Sequence, residues 1–315
     1  MTDAPGAASA GAAANAANST NTTGVIHDLG YRHYDGIRLG RGAVFRALYT
    51  ASLRSAFGLG RGGKAKIIPF LVVGIMALPA VITVVVVTTL GEAIGDQVDI
   101  IQYQDYTFVL QPVVLGFLAI QASELVCRDL RFNVLPLYFS RPIKKTDYPL
   151  AKLAAMATAL FIVMATPVVV QYVGAVFTTN DGLDGIWAET RKVFPVLVSN
   201  GVHGLVLAAF GLAIASMTPR RPFAIGGIAA WYVVSNIITG ILFGVLSDSS
   251  NGDPAPWPAL LTPFGMLNGF QNAALGIQSD GIDTSGYKAL FVVVTIAFFA
   301  ACLAVLLIRY RRAGR

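Results

Sequence analysis

Two phosphate-binding patterns nearly fit one short stretch of the chain, Gly58-Leu59-Gly60-Arg61-Gly62-Gly63-Lys64-Ala65. G-x-G-x-x-G matches as written. G-x-x-x-x-G-K-[ST] fails at its last place, where Ala65 lacks the hydroxyl that holds magnesium. Both patterns do their chemistry between a β-strand and a helix, with the backbone cradling a phosphate. Here the preceding residues have helical spacing, a long apolar run begins at Ile67, and strand–helix alternation is absent throughout the chain. The glycines are read as ending a helix and allowing a sharp turn, with Arg61, Lys64 and Lys66 meeting anionic headgroups. Other reactive side chains are sparse. His27, His33 and His203 are scattered, and neither H-E-x-x-H nor G-x-S-x-G occurs. Cys127 and Cys302 sit at a membrane edge and inside an apolar run, where free thiols are expected, and two cysteines alone cannot build a zinc site. No metal site or catalytic residue is therefore assigned.

Composition says what must position these residues. Of 315 residues 55% are hydrophobic and 13% charged, against about 25% charged in a soluble domain. Several runs reach the roughly 18–20 apolar residues that cross a bilayer. The expected fold is an all-α polytopic membrane protein. The net charge of +6 reports topology rather than nucleic-acid binding.

Residues 1–23 are Ala, Gly, Asn, Ser and Thr, too polar to pack a core, and are expected to be a disordered cytoplasmic tail. Their sequons at Asn18 and Asn21 mean nothing on that side of a membrane. No basic n-region or continuous apolar h-region marks a signal peptide. Residues 24–66 form a cytoplasmic segment. Within it, Val44, Phe45, Leu48, Ser52 and Ala56 recur at helical spacing, while Arg46, Thr50 and Arg54 line another face. This predicts a basic amphipathic helix in the membrane interface; the alternative is a soluble helix packed on cytoplasmic loops.

Six transmembrane helices follow within 67–312, over about 67–90, 106–123, 148–177, 193–217, 223–246 and 287–308. With the N-terminus inside, all but Arg191, Lys192 and Lys288 of the 23 Lys and Arg residues fall on the cytoplasmic side. Both termini are thereby placed in the cytoplasm of a multi-pass plasma-membrane protein. The outer loop over about 247–286 is half apolar and interrupted by Pro256, Pro258 and Pro263. A re-entrant hairpin and a soluble loop with its own small core both fit it. Polar residues also fall within or near the spans, among them Gln111, Gln121, Gln171, Asn200, His203 and Asn236. Gln171, Asn200, His203 and Asn236 are candidates for a substrate pathway; taken singly, each is read first as inter-helix hydrogen bonding.

The most informative stretch is Ser123–Lys152, SELVCRDLRFNVLPLYFSRPIKKTDYPLAK. Glu124, Arg128 and Arg131 share one helical face, and Leu130, Val134 and Tyr138 make an opposing apolar stripe. Arg141-Pro142 breaks the helix, and Lys144, Lys145 and Asp147 lead into the third span. A short amphipathic helix here, over about 124–139, could press on a soluble partner or lie on headgroups.

In these residues the chain resembles the ABC-2 type permeases, membrane subunits of one class of ATP-binding-cassette exporters. Glu124, Arg128, Leu135, Arg141-Pro142-Ile143, Lys144 and Lys152 match the family's pattern in order; Arg131-Phe132-Asn133 stands where the family often has Gly-Thr. The plan of an amphipathic helix, six spans and an interrupted outer loop is similar too. The resemblance implies an exporter permease working with two copies of an ATPase subunit and a second permease, identical or paralogous. ATP and magnesium would be held by the ATPase, and no cofactor by this chain. Glu124, Arg128, Arg131, Arg141, Lys144 and Lys145 would belong to the ATPase-coupling helix. Two rivals need no ATPase partner. A secondary transporter or channel usually keeps an intramembrane carboxylate or an inverted repeat, and an intramembrane enzyme needs a nucleophile or metal cluster at depth. The sequence displays none of these.

Overall fold

A chain segment in hydrocarbon must satisfy its own backbone, and for an apolar run of this length the helix does so. In a computed structural model of the chain, every regular element among the described residues is a helix. Those residues are 40–60, 62–94, 101–139, 143–179, 182–249, 256–277, 284 and 286–313. The chain divides into Met1–Arg38 and Leu39–Arg315, and the described helices all belong to the second unit. The tail expected over 1–23 and the start of the 24–66 segment lie outside the described residues.

Helix α1 (Arg41–Ala56) turns Leu48, Ser52 and Ala56 inward and leaves Arg46, Thr50 and Arg54 exposed, as its spacing predicts. Its apolar face packs on protein, chiefly on α6 (Asp147–Thr178), with Tyr49 Oη donating to Thr158 Oγ1 at 3.1 Å. The glycine stretch is a turn between two helices, α1 and α2 (Lys64–Ile94). Gly58 and Gly60 have φ of +67° and +87°, and a Cβ on Gly58 would strike the Ala65 backbone. Glycine is therefore required by the turn itself; Arg61 lies outside the described residues.

Five helices are long and apolar enough to cross a membrane: Lys64–Thr89 of α2, Asp147–Thr178 (α6), Gly182–Met217 (α7), Arg221–Leu246 of α8 (Arg221–Ser249), and Lys288–Arg312 of α10 (Lys288–Ala313). The segment expected as a further span is built differently. A short α3 (Tyr106–Val109) breaks at Leu110, and α4 (Gln111–Arg131) restarts with Pro112 in its first turn, where a missing N–H costs nothing. Helix α4 runs on through Glu124, Arg128, Asp129 and Arg131, well past the expected end at Ser123. It can carry these groups because Glu124 and Asp129 meet bases on other helices while Arg128 and Arg131 stay exposed. Val114, Phe117, Leu118, Ala122, Leu125 and Val126 are all buried against neighbouring helices.

Helices α4, α6 and α7 form the centre. At Gly204 the α6 and α7 backbones come so close that a Cβ would lie 2.9 Å from the Ala157 carbonyl oxygen, the small-residue contact by which membrane helices approach. Helix α7 begins at Gly182, eleven residues before the expected Val193, so Arg191 and Lys192 are helical. Its first turns, with Leu183 and Trp187 exposed, resemble loop in composition. Between α8 and α10, a 3-10 helix (Trp257–Leu261) and α9 (Pro263–Leu275) meet at Thr262, whose side chain accepts from Gly265 N at 3.0 Å. Helix α9 buries Phe264, Met266, Leu267 and Gln271 against its neighbours. The segment expected as an outer loop thus contains a helical pair with a buried face.

Candidate functional site

Three carboxylates occur between Ser123 and Lys152, and each meets a base on another helix. Glu124, 13% exposed, takes Arg128 of its own helix at 3.4 Å and also pairs with Arg221 at the start of α8. Asp129 accepts from Tyr148 Oη at 2.6 Å and pairs with Lys152 Nζ at 3.0 Å. Asp147 is held by Arg41 at 2.5 Å and by the Lys144 backbone N–H at 3.0 Å. The Arg41 guanidinium is pushed up chiefly by this hydrogen bond.

The Asp129–Lys152 pair is the most enclosed, with side chains 13% and 9% exposed. Lys152 also donates to the Leu125 carbonyl at 3.1 Å and lies over the Tyr148 ring. Tyr148 sits between the rings of Tyr138 and Tyr310, at 5.3 and 5.1 Å. Nearby, Arg309 Nε donates to the Ser216 carbonyl at 3.2 Å, satisfying one of the acceptors that the end of α7 leaves open. These contacts tie the end of α4, the start of α6, the end of α7 and the end of α10 together. This basic end is a fixed mount.

The segment it carries projects outward. Asn133, at φ +50°, turns the chain from α4 into a short α5 (Leu135–Phe139), so 124–139 is two helices joined by a turn. Leu130 and Tyr138 pack inward against the core, and Val134 is half-buried. The expected stripe therefore faces the bundle. Arg128 and Arg131 are exposed, and between and beyond them stand Phe132 and Leu137, 66% and 71% exposed. Lys144 and Lys145 are exposed on the far side of the segment, while Arg141 lies outside the described residues.

A second polar group lies among the central helices. Asn200 accepts from Thr107 Oγ1 at 3.0 Å and donates to the Met164 carbonyl at 3.3 Å. His203 Nδ1 lies 2.8 Å from the Ser199 carbonyl, which can only accept, so the ring carries its proton on Nδ1. Ser199 Oγ in turn donates to Gln271 Oε1 of α9 at 2.6 Å. Of the four pathway candidates, Asn200 and His203 are both buried on α7, in two separate sets of hydrogen bonds. Gln171 instead faces a small cleft of about 120 Å³ between α2 and α6, bonded to the Ile101 carbonyl at 3.1 Å. Asn236 donates to Tyr232 of its own helix at 2.8 Å. At the far end, Tyr103 donates to Glu189 at 2.9 Å, and burial with that bond pushes the Tyr103 phenol up.

Asp129, Tyr148, Ser199 and Gln271 were not among the residues expected to matter. Asp129 had one readable signal, an acid among the basic residues of its segment. Gln271 had none, since it reaches Ser199 from 72 positions away. Among the described residues, no group of three or more His, Cys, Asp or Glu side chains is arranged to hold a metal ion.

The chain belongs to the family described as protein of unknown function (DUF2705), matched over residues 70–313. No curated protein matches it. The family match contains the pairs made by Glu124 and Asp129 and the polar residues of the central helices, and leaves α1 with Arg41 and the glycine turn outside.

Proposed function

We propose that the chain is the permease subunit of an ABC exporter, moving its substrate across the cytoplasmic membrane with ATP hydrolysed by a separate ATPase subunit. In this reading α4 is the second of six spans, the basic end and both termini are cytoplasmic, and the 257–275 pair is re-entrant from the outside. The observation that carries the proposal is the exposed apolar pair Phe132 and Leu137, next to the exposed Arg128 and Arg131 on a mount of paired charges. An interface core of aromatic and aliphatic side chains with an arginine rim is how proteins dock. A rigid mount lets the docked partner move the spans rather than bend a loop. Two ATPases and two permeases would make the working unit, the second permease being a copy by default. The force would come from the difference in ATP affinity between the open and closed ATPase pair.

The test is pull-down of the tagged, detergent-solubilised chain from its native host, with ATPase activity assayed on the eluate. An ATPase should co-purify. Arg128→Glu with Arg131→Glu should release it, and Phe132→Ala with Leu137→Ala should weaken it about tenfold or more. A stable chain that emerges alone and without ATPase activity in several detergents refutes the proposal. The polar group at Asn200 and His203 would then point to an ATPase-independent transporter or channel.

A further inference from the structure

A cavity of about 760 Å³ opens at the basic end where α4 stops and the α7–α8 turn begins, lined by Leu130, Arg131, Asn133, Arg220, Arg221 and Phe223 among others. Its height in the membrane follows from the chain. Met217 closes one membrane-crossing helix and Arg221 opens the next, so the turn between them lies where two spans leave the hydrocarbon. That is the depth of lipid phosphates.

The charge there is unbalanced. Glu124 is shared by Arg128 and Arg221, and Asp129 is taken by Lys152. Arg131 and Arg220 pair with no carboxylate among the described residues. Their guanidinium groups rest instead over the rings of Phe132 and Phe223, at 5.8 and 5.9 Å. The first turn of α8 faces the same space, and a helix leaves its first N–H groups unpaired and its N-terminus partly positive. Beside the charges stands an apolar wall of Leu130, Pro219, Pro222 and Phe223, the last 65% exposed.

We propose that this cavity binds the headgroup phosphate of an anionic phospholipid. Arg131 and Arg220 meet the phosphate, the Asn133 carboxamide is a further donor, and Phe223 and Pro222 lie along the upper acyl chain. Guanidinium groups match phosphate oxygens in charge and in fork geometry. The apolar wall selects a lipid over free phosphate. The cluster of arginines disfavours a zwitterionic headgroup, whose ammonium would have to sit among them. The proposal is independent of any ATPase, and its test relies on Arg220, which lies outside the ATPase-facing segment.

The full chain, purified in neutral detergent, is titrated with short-chain phosphatidylglycerol, short-chain phosphatidylcholine or inorganic phosphate, and binding is read by native mass spectrometry. Phosphatidylglycerol should bind one molecule per chain more tightly than either competitor. Arg220→Gln should weaken it about fivefold, the effect of one basic residue at an anionic surface. Arg220→Lys keeps the charge and loses the fork, so its affinity should fall between those of wild type and Arg220→Gln. Arg312→Gln removes an exposed charge near the same end without touching the cavity and should leave binding unaltered. Equal losses in Arg220→Gln and Arg312→Gln would mean a diffuse field and overturn the site. Equal binding of the two lipids would overturn anionic selectivity, and inorganic phosphate binding as tightly as phosphatidylglycerol would overturn the lipid as ligand.

Discussion

The basic end and the polar residues among the central helices are made from different chemistry. At the basic end full charges meet: Asp129 with Lys152, Glu124 with Arg128 and Arg221, Asp147 with Arg41. Among the central helices the bonds run between uncharged groups, Thr107 to Asn200 and Ser199 to Gln271. The difference follows depth. A charge deep in a bilayer is expensive even when paired, whereas near the headgroups water is close and an ion pair can be assembled from distant segments. Ionic contacts thus fasten the helix ends, and hydrogen bonds set the spacing of the middle.

Breaking one partner on each side gives the contrast a scale. Lys152→Met should be the most damaging change, because it leaves Asp129 enclosed without its cation. The expected loss is about 3–5 kcal/mol of unfolding free energy in detergent. Adding Asp129→Asn should restore most of it; a double variant as weak as the single one would mean that the pair contributes net stability. Gln271→Ala should cost less, about 0.6 kcal/mol and at most about 2, read in the same unfolding titration. If it costs as much as Lys152→Met, the central group is not the weaker fastening. The smallest effect is expected at the far end, where Tyr103 bonds Glu189. Its phenol is raised on folding, so its contribution is present below the ordinary value of about 10 and fades as pH rises beyond it. The stability gap between wild type and Tyr103→Phe should therefore shrink at alkaline pH. A gap independent of pH would remove titration from the explanation.

The helices were legible because apolar runs of bilayer length have few other fates. The limits of α4 and α7 were less so. Helix α4 continues through charged residues that look like a cytoplasmic loop until Lys152 and Arg221 are seen beside them. The start of α7 looks like loop because Leu183 and Trp187 alternate with polar residues. In the candidate site, Glu124, Arg128 and Arg131 were readable from helical spacing, as were Asn200 and His203 from their polarity. Their partners were not, since Ser199 to Gln271 and Asp129 to Tyr148 are contacts of tertiary structure. The Leu130–Val134–Tyr138 stripe was visible, but its direction was not. Periodicity defines a face without saying whether protein, lipid or a partner covers it.

Helix α7 has 36 residues and is about 54 Å long at 1.5 Å per residue, against a hydrocarbon thickness of about 30 Å. In the membrane-spanning reading it overhangs, with exposed Trp187 in its projecting first turns as an interfacial anchor. A thinner or thicker bilayer would be met by tilting rather than by exposing apolar surface. Because α6 lies along α7 and Lys152 joins α6 to α4, that tilt would carry all three helices, and with them the orientation of Phe132 and Leu137. Membrane thickness would thereby act as a mechanical input to the basic end.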